Sequence, residues 1–318
     1  MASASTSVAA ALTALSGCDF LSSADVSAEQ TAALLQLATQ LKHGDRRIDL
    51  GNRVLGLIFT KASTRTRVSF QVAMARLGGQ TVDLNPQVTQ LGRGEPLEDT
   101  ARVLSRFCDV LAIRTFAQQE LADYAHWASI PVINALTDLE HPCQALADFL
   151  TMQEAFGDLQ GQTLAYVGDG NNVAHSLMLC GALLGVNVRI GCPEGFEPLP
   201  GVVDQARSLA VHGAQISVTT DPVEAVRGAQ ALYTDVWASM GQEQEQAERE
   251  RAFQGFCLNE DLLAEADPRA IVLHCLPAHR GEEISAGVME GPSSRIFDQA
   301  ENRLHAQQAL LAALLGGL

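Results

Sequence analysis

Residues 54–77 read VLGLIFTKASTRTRVSFQVAMARL. The first six, Val54–Phe59, are a short apolar run rich in branched side chains, the pattern of a buried strand. From about Ser63–Arg65 a helix is predicted through Val68, Val72, Ala75 and Leu77, closed by Gly78 and Gly79. A strand passing through a short polar turn into a helix is the building block of a parallel α/β sheet. The alternation recurs along the chain. Further strands are predicted at Thr81–Leu84, Val110–Arg114, Val132–Ala135, Thr163–Val167, Val188–Cys192, Gln215–Thr219, Ala231–Asp235 and Ile271–Cys275. Helices are predicted at Pro96–Phe107, Gln118–Trp127, Pro142–Phe156, Val173–Leu184 and Val202–His212. Pro96 and Pro142 suit a first helical position, where a missing N–H costs nothing.

Four strands precede the helix from Pro142 and about five follow it. That order predicts an α/β chain of two domains, each a parallel sheet flanked by helices: residues 1–147 with 300–318, and residues 148–299. Leu304, Leu310, Leu311, Leu314 and Leu315 make the last segment too apolar for an exposed helix, so it is expected to return to the first domain.

The 318 residues suffice for a core that needs neither disulfide nor metal. No apolar run is long enough to span a bilayer, so no membrane partner is expected. A formal net charge of −16 argues against nucleic acid as a partner. The charge is uneven: residues 1–147 carry 12 Lys and Arg against 14 Asp and Glu, the remainder 9 against 23. Seven cysteines without a C-x-x-C read as reduced thiols of a cytoplasmic protein. Leu15-Ser16-Gly17-Cys18 is similar to a lipoprotein cleavage box, but no basic residue precedes Lys42, so export is not expected. The Ala/Ser-rich residues at the start are expected to form a disordered extension.

Ser63, Thr64 and Thr66 bring hydroxyls and backbone N–H groups to a helix N-terminus, where unsatisfied donors and the dipole favour an anion. Arg65 adds a guanidinium that grips phosphate bidentately. The alternative is a plain Ser/Thr cap with solvent-facing arginines; two arginines in the first turn favour the anion. The pattern G-x-x-x-x-G-K-[ST] is absent, so this is not a P-loop. Arg114 ends a strand where α/β sheets hold ligands, unless it pairs with a surface carboxylate. His141 and Gln144 flank a loop-to-helix junction and can face one ligand, unless His141 is only a cap.

Gly168-Asp169-Gly170-Asn171-Asn172-Val173 is similar to G-x-G-x-x-G, but Val173 replaces the third Gly. Cys192-Pro193 also stands where a ribose-binding carboxylate belongs, so no nicotinamide cofactor is expected. Asp235 ends a strand ahead of the polar stretch Gln242–Arg251, which is expected to be a mobile lid; its alternative role is to cap the following turn. His274, Cys275 and His279 lack a second ligand pair, so no metal is expected. A partly exposed Cys275 thiol beside Asp235 is the preferred reading.

Together these motifs resemble the aspartate/ornithine carbamoyltransferase family over nearly the whole chain, Asp19 to Leu311. S-T-R-T-R marks the family, and H-P-C-Q, D-x-W-x-S-M-G and H-C-L-P-A mark its ornithine branch. Ala62, where the family often has Pro, and Cys18, where a charged residue is usual, are departures. The resemblance implies two domains closing over carbamoyl phosphate and L-ornithine, no cofactor, and a homotrimer with active sites at subunit contacts. It implies that Ser63, Thr64, Arg65, Thr66, Gln90, Arg114, His141, Gln144, Cys275, Leu276 and Arg303 bind carbamoyl phosphate, with Cys275 and Leu276 also beside ornithine. Asn172, Asp235, Ser239 and Met240 would hold ornithine. Arg114, His141, Asp235 and Cys275 form the expected catalytic set. The alternatives are a carbamoyltransferase for another amine (putrescine or acetylornithine), a nicotinamide-dependent dehydrogenase resting on Gly168–Val173 alone, and a non-catalytic sensor of a phosphorylated ligand.

Overall fold

The computed structural model describes residues 2–61, 63–85, 94–238 and 246–318. The chain divides into two compact units, Met1–Ala147 with Arg303–Leu318, and Asp148–Asn302. The first contains α1 (Ala2–Thr13), α2 (Ala28–His43), β1 (Val54–Phe59), α3 (Arg65–Arg76), β2 (Gln80–Leu84), α4 (Leu97–Leu104), β3 (Val110–Arg114), α5 (Gln118–Trp127) and β4 (Val132–Leu136). Its sheet is parallel throughout, in the order β2-β1-β3-β4. Central β3 is buried along its whole length, whereas edge strand β2 is largely exposed. A parallel sheet must be covered on both faces, which accounts for the apolar runs that mark β1 and β3 in the sequence.

Helix α6 (Pro142–Phe156) opens on Pro142, as predicted, and crosses the division between the units. The second unit continues with β5 (Thr163–Val167), α7 (Asn172–Leu184), β6 (Asn187–Gly191), α8 (Pro200–Leu209), β7 (Ile216–Thr219), α9 (Pro222–Val226), β8 (Ala231–Thr234), α10 (Gln246–Ala252), α11 (Glu260–Ala264), β9 (Ile271–His274) and α12 (Ala286–Met289). Its five strands are parallel in the order β7-β6-β5-β8-β9. Strands β5, β8 and β9 are entirely buried. Helix α13 (Ile296–Leu314) belongs to the first unit from Arg303 onward, where Leu310, Leu311 and Leu314 are buried. The expected α/β architecture and the return of the last helix are therefore present.

Two expectations are corrected. The start of the chain is helical, not disordered: its alanines favour a helix, Leu12 and Leu15 are buried, and the Gly17 N–H donates to the Leu314 carbonyl at 2.9 Å. The stretch expected to be a mobile loop has residues 246–251 within α10, with Arg249 buried; its residues 242–245 lie outside the described ones. Smaller shifts occur at helix ends. Pro96 stands just before α4, and α8 begins at Pro200 and stops at Leu209. No helix among the described residues is long and apolar enough to cross a membrane, and all seven cysteines are free.

If α1 is part of the first unit's core, Leu12→Ala should cost about 2–4 kcal/mol, as for other buried Leu-to-Ala changes. Calorimetry should show a clearly lower Tm; an unchanged Tm would mean that α1 is a dispensable appendage.

Candidate active site

In the first unit, β1 and β3 lie side by side and pair Phe59 with Arg114. The register between β3 and β4 shifts at Ile113/Arg114, so Arg114 pairs with Leu136 where regular spacing would give Ala135. Thr60 holds this strand end, donating its N–H and hydroxyl to the Arg114 carbonyl at 3.0 Å each. The Arg114 guanidinium donates from Nη1 to Ser63 Oγ at 3.2 Å. Thr64 occupies the N-cap of α3, but its hydroxyl makes no capping bond, so it does not consume the first-turn N–H donors. Arg303, carried in by α13, donates from Nη2 to the Thr66 hydroxyl, and both residues are buried.

His141 and Gln144 are buried at the start of α6, where the Gln144 N–H donates to the His141 carbonyl at 3.0 Å. Burial, together with the positive charges of Arg303, Arg114 and Arg65, holds the His141 imidazole well below its ordinary pKa. Three guanidinium charges therefore act on an imidazole held neutral, a combination suited to a multiply charged anion.

In the second unit the strand order decides the site. β5, β8 and β9 are neighbours, so their carboxyl ends bring Asn171, Asp235 and Cys275 together. Asn171 caps α7, its side-chain oxygen accepting from the N–H groups of Val173 and Ala174 at 2.9 and 3.3 Å. Its amide donates to Asp235 Oδ2 at 3.1 Å. Cys275 donates from Sγ to Asp235 Oδ1 at 2.9 Å, and the Val236 N–H donates to the same oxygen at 2.8 Å. Burial pushes the Cys275 thiol well above its ordinary pKa, and the Asp235 charge pushes it further. It is therefore a protonated donor. Gly170 has its own constraint: a Cβ there would lie 2.3 Å from the Pro198 nitrogen, so only glycine admits this backbone approach.

After Cys275 the chain turns at Leu276, which has a φ of 59° and donates its N–H to His274 Nδ1 at 2.8 Å. His274 Nδ1 must then be the acceptor, which leaves Nε2–H to donate to Glu283 Oε1 at 3.0 Å. Asp235, His274 and Cys275 each place one donor atom within 4.8 Å of the others.

The structure thus gathers Ser63, Thr66, Arg114 and Arg303 by contact, with Arg65 and His141 by charge, in the first unit. It gathers Asp235 and Cys275 in the second. Cys275 and Leu276, expected among the carbamoyl-phosphate residues, belong to the second unit. Asn172 is the first residue of α7, but the contact to Asp235 comes from Asn171. Gln90, Ser239 and Met240 lie outside the described residues. Sequence reasoning also missed Glu140. Its buried carboxylate accepts from the Ser22 hydroxyl and, at 3.0 Å, from the Ser23 N–H, holding the chain start against the turn before His141.

Residues 18–154 match the carbamoyl-P binding domain of aspartate/ornithine carbamoyltransferase, and residues 160–314 match its Asp/Orn binding domain. The chain belongs to the aspartate/ornithine carbamoyltransferase family. It is 86% identical to the ornithine carbamoyltransferase of Prochlorococcus marinus strain MIT 9313, with 98% of each chain covered. It is 83% identical to that of Parasynechococcus marenigrum strain WH8102 over the whole of both. Among solved structures, ornithine carbamoyltransferase from Gloeobacter violaceus shares 57% identity at a TM-score of 0.86, covering 93% of this chain and 98% of that one. Within the family match, Arg303 falls in the Asp/Orn-binding segment by sequence, yet its contact is to Thr66 of the first unit.

The depressed pKa of His141 has a measurable consequence. The unfolded chain takes up a proton at this position near pH ~6.5, whereas the folded chain does so only at lower pH. Its contribution to stability is therefore full above about pH 6.5 and is lost as pH falls toward the folded value. In a nitrogen-edited NMR titration His141 should remain neutral at pH 6. A midpoint near 6.5 would contradict the buried cationic setting.

Proposed function

We propose that this chain transfers the carbamoyl group of carbamoyl phosphate to the δ-amine of L-ornithine, giving L-citrulline and phosphate. The observation that carries the reading is a division of charge. One unit surrounds His141 with Arg65, Arg114 and Arg303, and the other buries Asp235 against a thiol and an amide. The first suits carbamoyl phosphate and the second an α-amino group. The names of the close relatives support the same pair of substrates.

In this mechanism Ser63, Thr64, Arg65, Thr66 and Arg303 grip the phosphate, with Gln144 completing the pocket. Arg114 and the neutral imidazole of His141 donate to the carbonyl oxygen and stabilise the oxyanion as it forms, the term that usually contributes most. Asp235 holds the α-amino group, so the δ-amine is aimed at the carbonyl carbon. Asn172, Ser239 and Met240 are assigned to the rest of ornithine. The δ-nitrogen bonds to carbon, the carbon–oxygen bond to phosphate breaks with its electron pair leaving on phosphate, and the proton shed by the δ-nitrogen is taken up by the departing phosphate. We assign 1–147 with 300–318 to the first substrate and 148–299 to the second.

A citrulline assay with ornithine, putrescine and acetylornithine tests the substrate: ornithine should be preferred by kcat/KM. Arg65→Ala should cost roughly 2–4 kcal/mol in kcat/KM, thirtyfold or more; a loss under threefold would remove Arg65 from the site. Only the neutral amine attacks, and at pH 7 about one alkyl ammonium in ~2,500 has lost its proton. Between pH 6 and 8.5 kcat/KM for ornithine should therefore rise. The raised pKa of Cys275 keeps its thiol out of that titration, so Cys275→Ser should be slower but retain the slope. A flat profile in the serine variant would make Cys275 a titrating catalytic group.

We further propose a cytoplasmic homotrimer. The free thiols support a reducing compartment. Exposed Val68 and Val72 on α3, with Val82 on edge strand β2, offer an apolar face in the first unit. Light scattering should give three chain masses, and Val72→Glu should yield monomers with little activity. A fully active monomer would refute the assembly.

A further inference from the structure

Arg249 is 7% exposed in a unit whose carboxylates far outnumber its basic residues. A guanidinium so buried needs specific acceptors, and a carboxylate and a backbone carbonyl are among them. Its Nη1 donates at 2.7 Å to Asp169 Oδ2 and at 2.7 Å to the Trp237 carbonyl. The guanidinium carbon lies 5.0 Å from the centre of the Phe196 ring. Phe196 and Trp237 both pack on Phe253, with ring centres 4.9 and 5.7 Å away.

The places of these partners along the chain matter most. Asp169 lies two residues before Asn171, and Trp237 lies two residues after Asp235. Asn171 and Asp235 are themselves joined at 3.1 Å. A closed ring therefore runs from Asn171 to Asp235, along the backbone to Trp237, through Arg249 to Asp169, and back to Asn171. We propose that Arg249 is a positioning residue for the amino-acid substrate: it clasps the backbone leaving Asp235 to the backbone entering α7. The clasp holds the substrate-facing carboxylate and the α7 N-terminus at a fixed separation. This rests on the reading that Asp235 receives the α-amino group of ornithine.

The test uses the full-length chain and steady-state citrulline formation, with carbamoyl-phosphate affinity measured separately by calorimetry. Arg249→Ala should raise KM for ornithine at least tenfold and lower kcat by a smaller factor, while carbamoyl-phosphate affinity stays within twofold. Arg249→Lys, which keeps the charge but not the planar fork, should recover part of the loss. Asp169→Asn, close to isosteric, should raise KM in the same direction, and the double variant R249A/D169N should be no worse than the poorer single change.

An ornithine KM within twofold of the parent in Arg249→Ala would overturn the proposal, as would multiplying effects in the double variant. If Arg249→Ala does not fold, Asp169→Asn decides, since an unchanged ornithine KM there is equally fatal. A uniform loss that includes carbamoyl-phosphate affinity would show a general structural role and refute positioning. Absence of citrulline from the parent chain would overturn the functional reading and this inference together. An active parent with unaffected variants overturns the inference alone.

Discussion

Charges taken out of water must be answered by partners, and this chain buries Arg114 and Arg303 in one unit and Asp235 in the other. In the first unit Arg114 is answered in part by Ser63 and Arg303 by Thr66. A hydroxyl group carries no formal charge, so neither of these contacts neutralises the guanidinium it meets. In the second, Asp235 is answered by an amide, a backbone N–H and a neutral thiol. None of these cancels its charge either, so a cation is still favoured. Asp169 differs: Arg249 neutralises it, which makes that pair a fastening and not a binding feature.

The sheets convert this chemistry into geometry. A parallel strand delivers its last residue and the following turn to one edge, so neighbouring strands deliver neighbouring groups. Phe59 and Arg114 pair at the ends of β1 and β3, and that pairing puts Ser63 within reach of the Arg114 guanidinium. In the second unit β8 and β9 end on Thr234 and His274, so the next residues are Asp235 and Cys275. Residues forty positions apart thereby meet at 2.9 Å.

Much of this was legible in the sequence because it follows local patterns. Apolar runs marked the strands, and the Ser-Thr-Arg-Thr-Arg stretch carried its anion reading in the residue types alone. What escaped was whatever depended on the reach of a side chain across the fold. Nothing local separates Asn171 from Asn172, yet the cap geometry turns Asn171 toward Asp235. Arg249 sits among glutamates in a stretch that reads as a solvated loop, and its burial is explained by Asp169, eighty positions earlier, and the Trp237 carbonyl. The N-terminal helix was missed for a related reason. Ala and Ser composition suggests disorder, and it is the packing of Leu12 and Leu15 in the first unit that orders it.

The two clusters share a property that limits how the reaction can depend on pH. Burial and three arginines keep His141 from being a proton donor at neutral pH, and burial beside a carboxylate keeps Cys275 from being a thiolate. Each group is held in its neutral form for an electrostatic reason, and in that form each can donate a hydrogen bond without changing charge. Donors that do not titrate suit a site that stabilises a developing oxyanion and holds an ammonium group, because their contribution stays constant across the working range. Under the proposed function, proton loss from the attacking amine then falls to the substrate, and the protein's part would be to hold the neutral minority in line with the carbonyl carbon.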